Sequence, residues 1–376
     1  MNLSMEKAYK FRLYPNTEQK ELLSKTFGCA RFVYNYYLDR RIKAYQQNKT
    51  TMNYNACSAD LTKLKQEKPW LKEVDKFALQ NALRDLDRAF QNFFREIKKG
   101  NKNQGFPKFK SKHHYKQSYR TTFTNNNIKV EKNRIKLPKL GWVDMIQHRD
   151  IQGRIVNCTI TKTCSDEYYV SICCTDVVID KYESTENSIG IDLGLKEFIT
   201  TSDGEAIENP KYLLKLEKKL KREQRKLSKK QKGSKNIEKQ RIRLNKVHKK
   251  IRNQRIDFLQ KLSTRLIREN QIICLEDLSV KGMVKNHNLA KRISDASWSE
   301  FVRMLEYKAL WHDKIIQKID RFYPSSQLCS VCGYKNEDIK DLSIRRWICP
   351  QCNTKHNRDV NAAKNILNEG LRLLAS

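Results

Sequence analysis

The chain has 376 residues, of which 76 are Lys or Arg and 42 are Asp or Glu, so it carries a formal net charge of +34 while remaining 39% hydrophobic and 9% aromatic. That much apolar residue excludes wholesale disorder, and the length allows two or three domains with real cores. So large a charge excess points to a polyanionic partner, nucleic acid first. No stretch approaches the roughly 20 apolar residues of a membrane-spanning helix, and the opening MNLSMEKAYKFRLYP lacks a signal peptide's apolar core. A soluble, intracellular protein is expected. Eleven cysteines agree with a reducing compartment: four form two Cys-x2-Cys pairs, and the other seven are scattered and odd in number, so they cannot all pair.

Residues 6–13 alternate like a strand, and Thr17 with Glu18 to Lys20 opens a helical pattern through Leu22, Leu23, Phe27, Phe32 and Tyr36. The clearest helix runs from Asp75 to Lys98, with Leu79, Leu83, Leu86, Phe90, Phe93 and Ile97 on one face. Its other face carries Lys76, Gln80 and Arg84, a set of side chains suited to reading a DNA groove. Residues 105–120 interleave aromatics with Lys108, Lys110 and Lys112, a composition that stacks bases while neutralising phosphates. From Tyr119 to Val178 short alternating segments (RTTFT, NIKVE, RIKLP, VNCTITKT, EYYVSICC) predict a small β-barrel or sandwich, with the helical block inserted after the first strand.

Residues 211–255 hold twenty Lys or Arg against three acids. Leu213, Leu216, Leu220 and Leu227, then Leu244, Val247, Ile251 and Phe258, flank Gly233-Ser234 at helical spacing. This predicts a helical hairpin with one packed stripe and a cationic remainder that faces phosphate.

Cys329, Cys332, Cys349 and Cys352 form two Cys-x2-Cys knuckles separated by sixteen residues. Four thiolates close a tetrahedral shell with no open position, so one structural Zn²⁺ is expected to hold a small ribbon and do no chemistry. His356, just beyond, reads as an ordinary polar residue. Three acids stand out elsewhere. Asp192 interrupts an apolar strand in SIGIDLGLKEFITT, Glu276 ends the apolar run QIICLE, and Asp359 begins a helix in HNRDVNAAKNIL. Singly they read as a turn residue, a strand end and a helix N-cap. Together, two acids at strand ends and one at a helix start are what a ribonuclease H-like fold uses to converge three carboxylates, which can hold two Mg²⁺ around a scissile phosphate. Asp277 reads as facing the other side of its strand, and Asp203 as a Ser-Asp-Gly turn.

The chain resembles the TnpB family, accessory proteins of bacterial insertion sequences that act as RNA-guided DNA endonucleases and are related to type V CRISPR effectors. The resemblance rests on KAYKFRLYPNTEQKELLSKTFGCARFVYN, GFPKFKSK, IGIDLGLKEFITT, CLEDLSVKGM, SSQLCSVCG and NRDVNAAKNIL. One departure is Asn357-Arg358-Asp359, where the family often has Asp-Arg-Asp. The resemblance implies a multidomain fold of mixed α+β and α/β type: a β-barrel domain (1–14 and 117–182) with an inserted helical recognition block (15–116), a RuvC-like nuclease domain of ribonuclease H fold (183–323 and 356–376) carrying the basic hairpin (211–270), and a zinc-ribbon insertion (324–355). It implies that Asp192, Glu276 and Asp359 are the metal-binding triad, and it places reading of the flanking DNA motif in the helical block, with Thr122 contributing from the barrel. A guide RNA from the element's end and double-stranded target DNA are the expected partners, in a monomer associated with a bacterial or archaeal nucleoid. A nuclease-silent repressor and a transposase acting on bare element ends are the alternatives.

Overall fold

The computed structural model describes residues 5–101, 105–112, 117–341 and 343–376, and the chain divides after Val178 into two units, each with its own buried core. His113, His114, Tyr115 and Lys116 of the aromatic-basic stretch fall outside the described residues.

In the first unit, β1 (Met5–Tyr14) buries Tyr9, Phe11 and Leu13 on one face, the period-two pattern of a half-buried strand. It pairs antiparallel with β5 (Gly141–Ile146) on one side and β7 (Tyr168–Val177) on the other. With β2 (Gln117–Thr122), β3 (Lys129–Glu131), β4 (Arg134–Leu137) and β6 (Arg154–Lys162) they form one curled sheet in the order β2-β6-β7-β1-β5-β4-β3. Among the described residues no ladder joins its edge strands β2 and β3.

Three helices lie between β1 and β2 in sequence. α1 (Thr17–Asn48) starts from Asn16, whose side chain accepts from the Gln19 amide while the Gln19 side chain accepts from the Asn16 amide. α2 (Tyr54–Glu67) precedes α3 (Lys76–Lys98), which is capped by Asp75 at the Phe77 N–H. The expected apolar stripe of α3 is buried at Leu79, Leu83 and Leu86 but not at Ile97, which is 49% exposed. The last turns pack instead through rings, Phe90 and Phe93 meeting Phe106 edge-on at 5.5 and 5.3 Å.

The second unit is organised by a five-stranded sheet in the order β10-β9-β8-β11-β12. β8 (Ser188–Leu193), β9 (Glu197–Thr201) and β10 (Ala206–Glu208) run antiparallel; β11 (Ile272–Glu276) is parallel to β8, and β12 (Ile315–Ile319) is parallel to β11. Between β10 and β11 come α4 (Tyr212–Ser228) and α5 (Lys235–Glu269), joined through Gly233 at φ +84°. Their seam is Leu220, Val247 and Ile251 with Leu213, Leu216 and Leu244. α6 (Val280–Met283), α7 (His287–Ala296) and α8 (Trp298–His312) lead to β12.

One sheet face, with Ile189, Ile191, Ile273 and Leu275, packs on Leu259, Leu262 and Leu266 of α5 and on Phe301, Met304 and Leu305 of α8. The opposite face takes α9 (Arg358–Ala375), which follows a short β-hairpin of β13 (Arg346–Ile348) and β14 (Lys355–Asn357). That contact is unusually close. A Cβ on Gly190 would lie 2.1 Å from the Ala363 carbonyl oxygen, and one on Gly370 would lie 2.3 Å from the Cys274 sulfur. Glycine is therefore required at both positions for α9 to reach the sheet.

Candidate active site and metal centres

Parallel pairing of β11 with β8 places Leu275 opposite Ile191, so Glu276 and Asp192 are the next residues of two adjacent strands at the same edge of the sheet. Alternation sends Ile191 and Leu275 into the helical core, and Gly190, Asp192, Cys274 and Glu276 to the face covered by α9. Asp359, Ala363 and Leu367 repeat every four residues along that helix. Since Ala363 and Leu367 meet Gly190, Asp359 stands one turn further on, beside Asp192, which is two residues beyond Gly190. Three elements distant in sequence thus place Asp192, Glu276 and Asp359 at the same end of the sheet, at the N-terminal and electropositive end of α9.

The electrostatics register that meeting. Asp192 is pushed up to about 7, first by burial and then by the negative charges of Glu276 and Asp359, against a smaller lowering effect of Arg358. Burial also raises Glu276, offset in part by the Ser325 hydroxyl, which donates to its Oε1 at 2.6 Å. Asp359 is paired with Arg345, whose Nη1 lies 3.1 and 3.3 Å from its two oxygens. All three are oxygen donors, the kind that a hard divalent cation takes; among the described residues, the one set of acids, histidines and cysteines whose ligand atoms already lie within 4.8 Å of one another is a group of four cysteines.

Asp359 is not the helix cap. Asn357 is: its side-chain oxygen accepts from the Asp359 and Val360 amides at 3.0 and 3.3 Å. Asn and Asp both cap well, so the departure at this position keeps the helix start while adding no fourth negative charge. Asp277 is ion-paired with Arg321 at 2.8 Å, and Asp203 lies in the turn before Gly204.

The four sulfurs of Cys329, Cys332, Cys349 and Cys352 lie within 4.8 Å of one another. Two of the pairs, Cys329 with Cys352 and Cys332 with Cys349, are 3.6 Å apart. A tetrahedral zinc with sulfurs at about 2.3 Å requires edges of about 3.8 Å, so the set fits that ion. Each knuckle closes the same way: Gly333 at φ +76° and Asn353 at φ +53° curl the chain, and their amides donate to the Cys329 and Cys349 carbonyls at 2.9 Å. His356 is not the ordinary polar residue that its sequence context suggested. Pairing of β14 with β13 sets it opposite Trp347, with ring centroids 4.6 Å apart, and puts its Nε2 at 3.1 Å from Cys329 Sγ.

In the first unit, Lys76, Gln80 and Arg84 share one face of α3; Lys76 and Arg84 are exposed and Gln80 is half-buried. Arg84 sits 5.4 Å from the Tyr54 ring centroid. Thr122, at the end of β2, is tied to the same helix through Asn81, whose side-chain amide donates to its Oγ1 at 3.2 Å. Lys108 and Lys112 are exposed, while Lys110 is anchored: its backbone exchanges two hydrogen bonds with the Asn35 side chain and its ammonium sits 3.9 Å from the Tyr34 ring centroid.

Ser325 and Arg345 escape sequence reasoning: each is a common residue in a loop or strand end, and only its long-range contact with Glu276 or Asp359 distinguishes it.

Three family profiles match the chain: one described as a "probable transposase" over residues 171–287, a "Cas12f1-like, TNB domain" over 298–366 and a "helix-turn-helix domain" over 1–50. A Streptomyces pristinaespiralis protein named "Putative RNA-guided DNA endonuclease" is 39% identical over 99% of this chain and 91% of its own length. The chain belongs to the TnpB family. A second relative, the Escherichia coli protein InsQ of the same description, is 33% identical over 98% of this TnpB chain and 93% of its own. A solved Cas12f1–sgRNA–target DNA complex aligns over 97% of this chain and 99% of that one, at 16% identity and a TM-score of 0.37, too low to bear on the fold.

Proposed function

We propose that the protein is an RNA-guided DNA endonuclease encoded by a transposable element, which hydrolyses phosphodiester bonds in double-stranded DNA next to a short flanking motif. The observation that carries this reading is the convergence of Asp192, Glu276 and Asp359, with Asp192 raised to about 7 by burial and by its two acidic neighbours. The sheet around them has its first three strands antiparallel and its last two parallel to the first, in the spatial order third-second-first-fourth-fifth. That order supports a ribonuclease H-like, RuvC-type nuclease.

Asp192, Glu276 and Asp359 would hold two Mg²⁺, which would supply an activated water and charge stabilisation at the leaving oxygen. The chain's part is to hold the carboxylates in register. Adjacent parallel strands fix Asp192 and Glu276, the Asn357 cap fixes the start of α9, and the Gly190 contact sets the depth at which α9 presents Asp359. The four cysteines are assigned one structural Zn²⁺ in a target-nucleic-acid-binding ribbon over 324–355. Residues 1–14 and 117–178 are assigned to a barrel-type domain, the expected boundary at 182 moving to Val178 because Tyr182 packs against the core of the second unit, and residues 15–116 are assigned to recognition. Lys76, Gln80, Arg84 and Thr122 are assigned to the flanking motif, and Lys108, Lys110 and Lys112 to backbone phosphate.

Delegating sequence recognition to base pairing accounts for a net charge of +34 that is spread over phosphate-facing surfaces such as the α4–α5 hairpin. The names that the relatives carry support the same activity. Among the described residues, no helix is long and apolar enough to cross a membrane.

The test is Asp192→Ala in protein purified with its co-isolated RNA. Target cleavage should vanish while RNA and target binding stay within a few-fold of wild type. Undiminished cutting by that variant would overturn the triad, and cutting of bare element ends without RNA would instead favour a transposase.

A further inference from the structure

The ribbon and the carboxylate centre are joined by a buried polar network. Ser325, whose hydroxyl donates to Glu276 Oε1, is 6% exposed, and its carbonyl accepts from the Asn365 side-chain amide at 2.7 Å. Asn365 also donates to the Leu328 carbonyl at 2.7 Å, as does Asn361 at 2.6 Å, and the Asn361 side-chain oxygen accepts from the Ser330 amide at 2.9 Å. Leu328 and Ser330 flank the first zinc-ligand candidate, Cys329, and the sulfur of Cys329 contacts His356, one residue before the Asn357 cap. Asn361 and Asn365 are 1% and 4% exposed, so water cannot replace these partners. From the middle of the ribbon, the Arg345 carbonyl accepts from the Arg358 amide and the Asp341 carbonyl from the Arg358 guanidinium.

The side-chain partners that seat the first two turns of α9 therefore come from the ribbon, and one ribbon residue reaches Glu276 directly. The ribbon's own core is small: Cys329, Ile339, Trp347 and Cys349, with Ile344 and Cys352 against them. Two of its four buried members are thiols of the candidate zinc set, so loss of a shared ion would loosen the segment from Ser325 to Ser330.

We propose that the zinc ribbon is a positioning element of the nuclease centre: Ser325 on Glu276, and Leu328 and Ser330 on Asn361 and Asn365, hold two of the three carboxylate-bearing elements in register, so that zinc occupancy sets the divalent-metal affinity of the triad. This rests on the reading of Asp192, Glu276 and Asp359 as a metal centre. It differs from a picture in which the ribbon is a separate flap that only touches nucleic acid, because a flap would leave the triad's metal affinity unchanged.

The experiment uses the full chain and reads Mn²⁺ binding by electron paramagnetic resonance, alongside zinc content and melting temperature. Ser325→Ala should keep its zinc and its melting temperature but bind Mn²⁺ roughly 10–100-fold more weakly, the range that loss of a hydrogen-bond partner of a metal ligand commonly costs. Ser325→Thr, which keeps the hydroxyl, should restore most of that affinity. Stripping zinc from the wild type should weaken Mn²⁺ binding at least as much as Ser325→Ala, and Asn361→Ala should do so with zinc still bound. If Ser325→Ala and the zinc-free wild type both bind Mn²⁺ like the zinc-loaded protein, the positioning role is refuted. Asp192→Ala separates the two layers: loss of Mn²⁺ in that variant alone sinks only the coupling, whereas Mn²⁺ binding unchanged in Asp192→Ala sinks the metal centre itself.

Discussion

Asp192→Asn should make the metal-free protein more stable, increasingly so as pH rises. The Asp192 carboxyl goes from an ordinary value of 3.8 to about 7 in the fold, so the folded state holds a proton that the unfolded chain has released. Its stabilising contribution is complete below pH 3.8 and is lost progressively as pH climbs to about 7. A shift of about 3 units at about 1.36 kcal/mol each gives a ceiling of about 4 kcal/mol. Asp192 is half-buried, so residual screening by water reduces the expected figure to about half of that ceiling, about 2 kcal/mol. The asparagine amide is nearly isosteric and never ionises, so it escapes the cost.

Melting of the two proteins across pH 4 to 8 in chelator measures this. Curves that coincide near pH 4 should separate by roughly 2–4 °C per kcal/mol, with the variant higher, by pH 8. Mg²⁺ or Mn²⁺ should then raise the wild type by about 2.7 kcal/mol at a hundred times its dissociation constant and leave the variant nearly unmoved. A variant no more stable than wild type at pH 8, or a gap independent of pH, would refute the claim that three carboxylates are crowded here.

Gly190→Ala puts a methyl group 2.1 Å from the Ala363 carbonyl and 2.8 Å from Leu367 Cβ, so α9 must lift from the sheet. The expected cost is about 1–3 kcal/mol in urea denaturation, with Mn²⁺ affinity falling in step. Cys349→Ser, or chelation of the zinc, should abolish stoichiometric zinc by metal analysis, unfold the ribbon and weaken target engagement in a mobility-shift assay. Gln80→Ala should relax preference at one position of the flanking motif by about 1–3 kcal/mol in a randomised-flank cleavage library; equal loss at every flank would assign Gln80 to phosphate or to support of the fold.

The two kinds of site differ in how far sequence alone exposes them. Cysteine ligands in paired knuckles are local, because a two-residue spacing already dictates a grip on one ion, and the strand and helix periods of β1, α3 and the α4–α5 hairpin are legible for the same reason. His356 shows where that reasoning stops. Nothing in its neighbours marks it, and only the β13–β14 register against Trp347 carries it to Cys329. The stripe on α3 shows the same limit from the other side, since an apolar face at Ile97 is visible in sequence, but whether anything covers it depends on the tertiary neighbours.

Asp192, Glu276 and Asp359 could be picked out by sequence because acids are costly at the ends of apolar strands and conspicuous at a helix start. Their meeting was a matter of topology. Residues 84 and 83 positions apart come together only through parallel pairing of β11 with β8 and the glycine-permitted approach of α9. Composition pointed to a polyanionic partner, and spacing to where a metal could be gripped, because charge and local ligand geometry do not depend on long-range contacts. The register of the carboxylates, the capping role of Asn357 and the clamp from Ser325, Asn361 and Asn365 were decided by tertiary structure, because each is a contact between segments whose separation carries no periodic signal.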